Sequence, residues 1–574
     1  MTPPAASAAA PAVAARRFRV PGVVWASPIY AFLALFIIFP LWRLFVDAVS
    51  TEGGKFTLAF VADFASDSYY RRALFYSVLM ASGTVVGCVV IGFLAAFLLV
   101  RYDFPGRRSF EYLTMLPMIM PPLVGIMGLV FILGRAGTVN VLLMDYLGLN
   151  RPINFIYGWH GVLLAMVLHN FPLITLSVVD GLSRLDASLE EAAEAMGSRG
   201  LRKILDIVIP LVTPGFISGA ALVFILAFAD FATPLVVGVQ SLIASQAYLN
   251  IVQFVDRRLF KMGIVIGALM SLMAIVFLLV ARRMVASREY AVLSYRAVER
   301  QPLRSVARVL APAFFIVVLT LAFLPSLGVT LAAFGRAWSL TPFPTHFTLD
   351  HLNQVLHLTP TYVLNTLRFS AVALLIIVVV GVAIGFMLAR TTLPALGLTD
   401  SIVTLTLALP GTAFGIAYIR AFHFPLPLLG IVLSQFWIIM ALALAVRRMP
   451  YTVRATYASL LSLHRSMEES ANSVGASGLR TFADITFPLI WRGVLAGALF
   501  SLMFVMQEAS ATILLFLPGW ETMTVGIFTY YTSGTIGQAA ALGFVLIVLC
   551  AAIMYALYRL TGARMGGLFG SGSG

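Results

Sequence analysis

Charge is what this sequence most lacks. Of 574 residues only 11% are Asp, Glu, Lys or Arg, where an ordinary soluble domain carries about 25%. Cysteine is almost missing: Cys88 and Cys550 both lie in apolar stretches, which excludes a disulfide framework, and neither has partners at metal-ligand spacing. Lysine occurs only as Lys55, Lys203 and Lys261. A phosphate-binding Walker A loop needs G-x4-G-K-[ST]. Lys55 follows Gly54, but Val49 stands where the first Gly belongs and Phe56 where Ser or Thr belongs; the other two lack even the preceding Gly. The chain is therefore read as non-catalytic, with no nucleotide-hydrolysing loop of its own, no catalytic residues and no metal site.

What is there is hydrophobic, at 60% of residues and a mean hydropathy of +0.97. The apolar residues come in blocks of about twenty, the length that crosses roughly 30 Å of hydrocarbon. The expected spans are 24–46, 75–100, 112–134, 160–179, 211–238, 262–284, 309–334, 367–389, 400–422, 428–446, 493–517 and 540–560. Backbone polar groups in lipid must be satisfied within the segment, so these are helices, and the fold class is an all-α polytopic membrane protein of about twelve spans. The net charge of +14 does not indicate nucleic acid. With both termini cytoplasmic, most Lys and Arg fall in inward segments such as "RRFR", "RYDFPGRR", "ARRMVASREYAVLSYRAVERQPLRSVAR", the "RR" at 447–448 and "YRLTGAR", as the positive-inside bias requires. The Ala/Pro-rich leader precedes its arginines, the wrong order for a cleavable signal.

The sequence is also written twice. "SLEEAAEAMGSRGLRKILDIVIP" (188–210) and "SMEESANSVGASGLRTFADITFP" (466–488) match at an offset of 278 residues, and the register continues to Gly215/Gly493 and Gly219/Gly497. Upstream, "GFLAAFLLVR" (92–101) matches "GVAIGFMLAR" (381–390) at an offset of 289. The extra length in the first copy falls to the outward connection 135–159, since loops absorb such changes. The expected organisation is a disordered tail 1–23, a six-helix half 24–284, a basic cytoplasmic linker 285–308, a second half 309–565 and a flexible tail 566–574. Six is even, so the halves are parallel, and an internal repeat of this kind places a pathway between them.

Each repeated island is polar in an oily chain. Ser188 with Glu191, and Ser466 with Glu469, have capping-box spacing. The pairs Glu190–Glu191 and Glu468–Glu469 sit in a first helical turn, where the helix dipole favours negative charge. Gly197 and Gly475 follow where a left-handed residue ends a helix. Such a short helix needs something to dock against, and the small residues Ala192, Ala193 and Ala195, or Ser470, Ala471 and Ser473, admit a close partner.

The pattern Glu191-Ala192-Ala193, three residues, Gly197, nine residues, Ile207-Val208-Ile209-Pro210 resembles the EAA loop of binding-protein-dependent ABC importer permeases, E-A-A-x3-G-x9-I-x-L-P. The second copy, Glu469-Ser470-Ala471, Gly475 and Ile485-Thr486-Phe487-Pro488, keeps the spacing. The resemblance implies a type I importer permease with both halves fused, in a bacterial inner membrane. It implies that the islands are coupling helices seated on two copies of a cytoplasmic ABC ATPase, which binds the ATP and Mg. It also implies a periplasmic substrate-binding protein outside and an inward-facing resting state. A secondary transporter is the rival from another class; it needs no paired docking helices.

Ionisable residues inside spans are functional candidates. Asp230 and Glu508 match at the offset of 278 and are expected to line the cavity, pair across the seam or cap a helix break. Asn170, its neighbour His169, and Gln435 in the tenth span are further pathway candidates. The outward arginines Arg71, Arg72, Arg257, Arg258, Arg368 and Arg420 are candidates for meeting an anionic substrate or the binding protein, or for anchoring at the interface. "ALPGTAFGIAYIRAF" (408–422), "EASATILLFLPGWETMTVGIF" (508–528) and "ADFATPLVVG" (229–238) resemble the fused ferric-iron permeases, which implies ferric iron as solute. The permeases for 2-aminoethylphosphonate share the double layout, so that compound, or another phosphorylated or organic solute such as thiamine or a polyamine, is the alternative.

Overall fold

The structure, a computed structural model, describes residues 21–561 apart from 52, 184, 254, 287–299, 337, 339–340 and 427–429. The tails expected at 1–23 and 566–574, except 21–23, and most of the expected linker lie outside the described residues. The described residues are all-α but for two isolated β-bridges and one parallel two-residue pairing, β1 (Tyr102–Asp103) with β2 (Gln301–Pro302), which ties the end of the expected linker to the first half.

In the first half the principal helices are α1 (Phe39–Ala48), α2 (Ser68–Arg101), α3 (Pro122–Leu133), α4 (Trp159–Ser183), the short α5 (Ala187–Ala195), α6 (Ile209–Ala229), α7 (Ala232–Val236) and α8 (Arg257–Ala286). The second half gives α9 (Ala307–Phe334), α10 (Thr361–Arg390), α11 (Leu396–Ala408), α12 (Gly411–Phe422), α13 (Ile438–Leu461), α14 (Ser466–Ser473), α15 (Phe487–Met506), α16 (Thr512–Leu515) and α17 (Ile536–Thr561). Helices α2, α4 and α6 pack on one another, as do α10, α13 and α15. The glycines kept by the repeat explain the match. A Cβ on Gly92 would lie 3.0 Å from Ile174, and one on Gly381 would lie 3.3 Å from Thr452. Without a side chain, each helix can approach its neighbour's surface.

The first span of each half leans on the other half: α1 packs on α12, and α9 packs on α3. Tyr418 of α12, fully buried, donates its hydroxyl to Phe36 O at 2.8 Å. At the α3–α9 crossing the backbones themselves touch. A Cβ on Gly128 would stand 1.9 Å from Pro325 O, and one on Gly328 would stand 2.3 Å from Gly128 O.

Ten helices among the described residues are long and apolar enough to span a membrane, or eleven with the bent pair α11–α12, which turns by 112° between Ala408 and Gly411. The tenth expected span needs correction. Helix α13 stands in place of 428–446 but starts at Ile438 and carries Arg447, Arg448 and Arg454, so it is too charged to score as apolar. Four other expected spans are interrupted: 112–134 between Leu113 and Pro122, 211–238 at Asp230, 400–422 at Leu409–Pro410 and 493–517 between Met506 and Thr512.

Gly328→Val should overpack the α3–α9 crossing and cost about 1–3 kcal/mol, seen as a lower melting temperature of the detergent-solubilised protein. Gly397→Ala, where a Cβ meets nothing within 4 Å, should leave it unchanged.

Candidate functional site

Two places gather the chemistry: the seam between the halves, and the pair of polar helices α5 and α14. At the seam the breaks after α6 and α15 do the positioning. Helix α6 stops at Ala229, and Asp230 turns extended, its Oδ1 accepting from Ala232 N at 3.0 Å and Thr233 N at 3.2 Å. It thus caps α7, where the first amides have no intrahelical acceptors. In the second half Glu508 follows the end of α15, 4% exposed, and its Oε1 accepts from Ala511 N at 3.3 Å. Its own carbonyl accepts from Thr512 Oγ1 at 2.7 Å and Thr524 Oγ1 at 2.9 Å. Both carboxylates therefore cap a helix break, one of the three roles expected for them.

Glu508 has a second task. Arg447 Nη1 bonds to its Oε1, and Arg448 Nη2 bonds to its Oε2. Arg447, 6% exposed, also reaches Leu409 O at 3.4 Å and lies over the Phe414 ring; Arg448 lies over Phe504. These arginines were expected in an inward cytoplasmic segment, and the structure corrects this by burying them within α13. The span estimate stopped at 446 because the arginines end the apolar run. The repeat contained the missing signal: at the offset of 278 they align with His169 and Asn170, already candidates. The α11–α12 corner is built around the pair. A Cβ on Gly411 would fall 2.6 Å from Arg447 Nη1 and 3.1 Å from Glu508 Oε1, so only glycine fits.

Between the two breaks lies a cavity of about 130 Å³. The first half contributes Asn170, His169 and Asp230 to its lining; the second contributes Arg447, Arg448, Gln507 and Glu508. Asn170 is partly spent on its own helix, donating to Met166 O at 2.8 Å. Gln507 bridges the seam by donating to Met118 O and Ile119 O at 3.3 and 3.1 Å. The Nε–H groups of Arg447 and Arg448, and Nδ1 of His169, are buried without a hydrogen-bond partner. Among the described residues no three His, Cys, Asp or Glu side chains converge as metal ligands. Gln435 is a correction: it lies in the exposed turn Leu433–Gln435 ahead of α13, not in a span or the cavity.

The outward arginines are mostly engaged. Arg420 Nε pairs with the buried Asp47 at 2.6 Å, Arg368 stacks 4.0 Å from the Trp437 ring centroid, and Arg258 pairs with Asp63 at 3.3 Å. Arg257 begins α8 beside them and is exposed.

In both polar helices the glycine ends the turn as its spacing indicated. Gly197 has φ +91° and Gly475 φ +88°. Ser198 N bonds Ala193 O at 2.9 Å and Gly197 N bonds Glu194 O at 3.0 Å; Ala476 N to Ala471 O and Gly475 N to Asn472 O repeat this at 3.1 and 3.0 Å. This is the Schellman pattern. The capping boxes are not formed. Asp186 caps α5, accepting from Ser188 N at 2.9 Å, and α14 follows Arg465 at its N-cap position without a side-chain cap. Ala193 and Ala471 pack back on their own bundle, while Glu191, Ala192, Glu469 and Ser470 are exposed. Glu190 begins the motif in α5 as Glu468 does in α14.

Glu468 latches α14 to α10 through Arg390 at 3.0 Å and accepts from Thr486 Oγ1 at 3.0 Å. Glu194 bonds Lys203 at 2.7 Å, a contact that holds its carboxyl below the usual range; in the second copy the neutral pair Thr481 and Asn472 meets at 3.3 Å. Sequence reading missed the outermost apolar groups. Met196, 82% exposed, and Val474, 86% exposed, occupy the same repeat position beside the glycine. An apolar side chain offered to solvent at the same point of two polar helices suits a docking surface.

With this geometry in place, a family model described as "Binding-protein-dependent transport system inner membrane component" matches residues 88–289. The ferric transport system permease protein FbpB of Actinobacillus pleuropneumoniae is 26% identical over 530 residues, covering 90% of this chain and 75% of the relative. The molybdenum transport system permease protein ModB of Escherichia coli (strain K12) is 32% identical over 160 residues, 28% of this chain and 68% of the relative. A protein of Salmonella typhimurium named for 2-aminoethylphosphonate transport, PhnU, is 26% identical over 207 residues, 36% of this chain and 72% of the relative.

Glu508→Gln should leave two buried guanidinium groups uncompensated and cost about 3–5 kcal/mol. Asp230→Asn keeps a capping oxygen and should cost well under half of that; thermal unfolding of the two variants in one detergent compares them. Gly197→Val and Gly475→Val should each lower the limited-proteolysis resistance of its own polar helix, because a β-branched residue resists the left-handed conformation.

Proposed function

We propose, from the premise that this chain belongs to the family of inner-membrane components of binding-protein-dependent transport systems, that it imports ferric iron as a permease containing both halves in one polypeptide. It is a multi-span ABC importer permease of the bacterial inner membrane; the solute, the partner count and the orientation are the parts proposed. The observation that carries the reading is the doubled polar helix, closed by a left-handed glycine in each copy and offering an acidic and apolar surface at matching positions. Two such surfaces suit the two grooves of an ATPase dimer, with α5 and α14 as the coupling helices and both termini cytoplasmic. ATP and Mg then belong to the ATPase subunits, and a periplasmic binding protein delivers the solute to the opposite face. Closure of the ATPase dimer would bring the two helices together and turn the resting inward-facing permease outward.

Ferric iron ranks first because two relatives that match along most of the chain are named for ferric transport. One observation favours a second reading, 2-aminoethylphosphonate: the seam presents two arginines and, among the described residues, no three His, Cys, Asp or Glu side chains are placed to hold a metal.

The double variant Glu191→Arg with Glu469→Arg should reach the membrane in normal amount yet lose at least about nine-tenths of uptake, because one reversed charge faces each groove. Uptake of radiolabelled ferric iron and of labelled 2-aminoethylphosphonate, in cells with the wild-type chain, the variant or neither, measures this. Undiminished uptake by the variant would remove the coupling assignment. Loss of only one labelled solute in cells without the chain would identify the substrate class.

A further inference from the structure

The seam cavity has its own charge pattern. Its second-half wall sets two guanidinium groups against one carboxylate, Arg447 and Arg448 against Glu508, and so carries one positive charge in excess. The first-half wall presents Asp230, which caps α7 and has no ion-pair partner among the described residues. A buried charge without compensation is costly, and here two of opposite sign face a common space of about 130 Å³, roughly four water volumes at about 30 Å³ each. Water is one way to fill it. A small ligand with opposite charges at its two ends is another, and it matches both walls at once. Arginine is suited to the anionic end because its planar fork binds oxyanions through paired N–H groups. The contacts to Glu508 use one Nη of each arginine and leave both Nε–H groups without an acceptor, so the pair has donors in reserve.

We propose that this cavity is a transit site for a ligand that joins an oxyanion to a cationic centre, the oxyanion held by Arg447 and Arg448 and the cationic centre turned to Asp230. The site rests on the importer reading. Two solutes share this chemistry: a zwitterion such as an aminophosphonate, and a ferric ion travelling with a bound oxyanion. Bare ferric iron does not fit, because the guanidinium wall repels it. In the corresponding place the first half has His169 and Asn170 in place of the arginines, so the polarity of the site comes from divergence between the two copies.

The test uses the permease assembled with its ATPase in nanodiscs, without the binding protein. Four probes are offered: labelled 2-aminoethylphosphonate, labelled ferric iron with phosphate, phosphate alone and ethylamine alone. One of the two dipolar probes should bind saturably, and which one does identifies the source. Phosphate and ethylamine should each bind at least tenfold more weakly. Arg448→Gln, which leaves Glu508 paired to Arg447, and Asp230→Asn should each weaken binding about tenfold or more. Should Arg448→Gln fail to assemble, Arg448→Lys, which keeps the charge and removes the fork, takes its place, and Asp230→Asn tests the other wall independently.

The proposal is overturned if neither dipolar probe binds a complex that imports its solute in cells, an outcome that leaves the importer reading intact. It is overturned equally if phosphate alone binds as tightly, or if binding survives both variants. Absence of chain-dependent uptake of both solutes would instead remove the proposed solutes, and the transit site with them.

Discussion

Two guanidinium groups close on one buried carboxylate where α13, the end of α15 and the α11–α12 corner meet. Glu508 sits at the break after α15, Arg447 and Arg448 sit side by side on α13, and Arg447 also touches the carbonyl of Leu409 at the α11–α12 corner. Two irregular points of backbone thus share one electrostatic centre. Each costs the membrane interior free carbonyl or amide groups, and irregular backbone at that depth is tolerated only where protein or a water-lined space satisfies it. The breaks and the ion pair therefore require one another: without the breaks the carboxylate has no way into the seam, and without the arginines its charge is uncompensated there. Gly411 shows how little room is left, since any side chain would run into the pair.

The first half solves the same geometry with less charge. Asp230 holds its break through two backbone amides, and His169 and Asn170 stand where the second half has arginines. The halves therefore share a scaffold without sharing chemistry, and Gln507 carries the contact from one to the other by reaching the carbonyls of Met118 and Ile119. Exchange of the first spans, α1 onto α12 and α9 onto α3, adds a mechanical tie. Neither half can pivot at the seam without moving a helix that is packed on its counterpart.

The architecture was largely legible in the sequence, because length, apolar runs and a fixed repeat offset are properties of the chain itself. The left-handed glycines at 197 and 475 were legible for the same reason, since spacing and residue type suffice. Tertiary context decided the rest. A hydropathy run ends where charge appears, so α13 was cut short at 446 and its arginines were assigned to solvent; only the partner carboxylate, sixty residues on, makes their burial possible. Gln435 was placed in a span by the same rule working in the opposite direction. The caps of α5 and α14 went to Asp186 and to no side chain at all, because the approach of the preceding helix sets where the first turn starts. Met196 and Val474 were overlooked because exposure is not a property of sequence.

One consequence follows from writing both walls of the seam in a single reading frame. In a permease made of two identical subunits every substitution enters twice, so an arginine pair on one wall brings an arginine pair to the other, and the centre becomes a knot of like charges. Here each wall is inherited once. A lineage can change Asp230 without touching Glu508, or His169 without touching Arg447, and so explore lopsided seams one codon at a time. Fusion also ties the dose of one half to that of the other, because both come from one polypeptide.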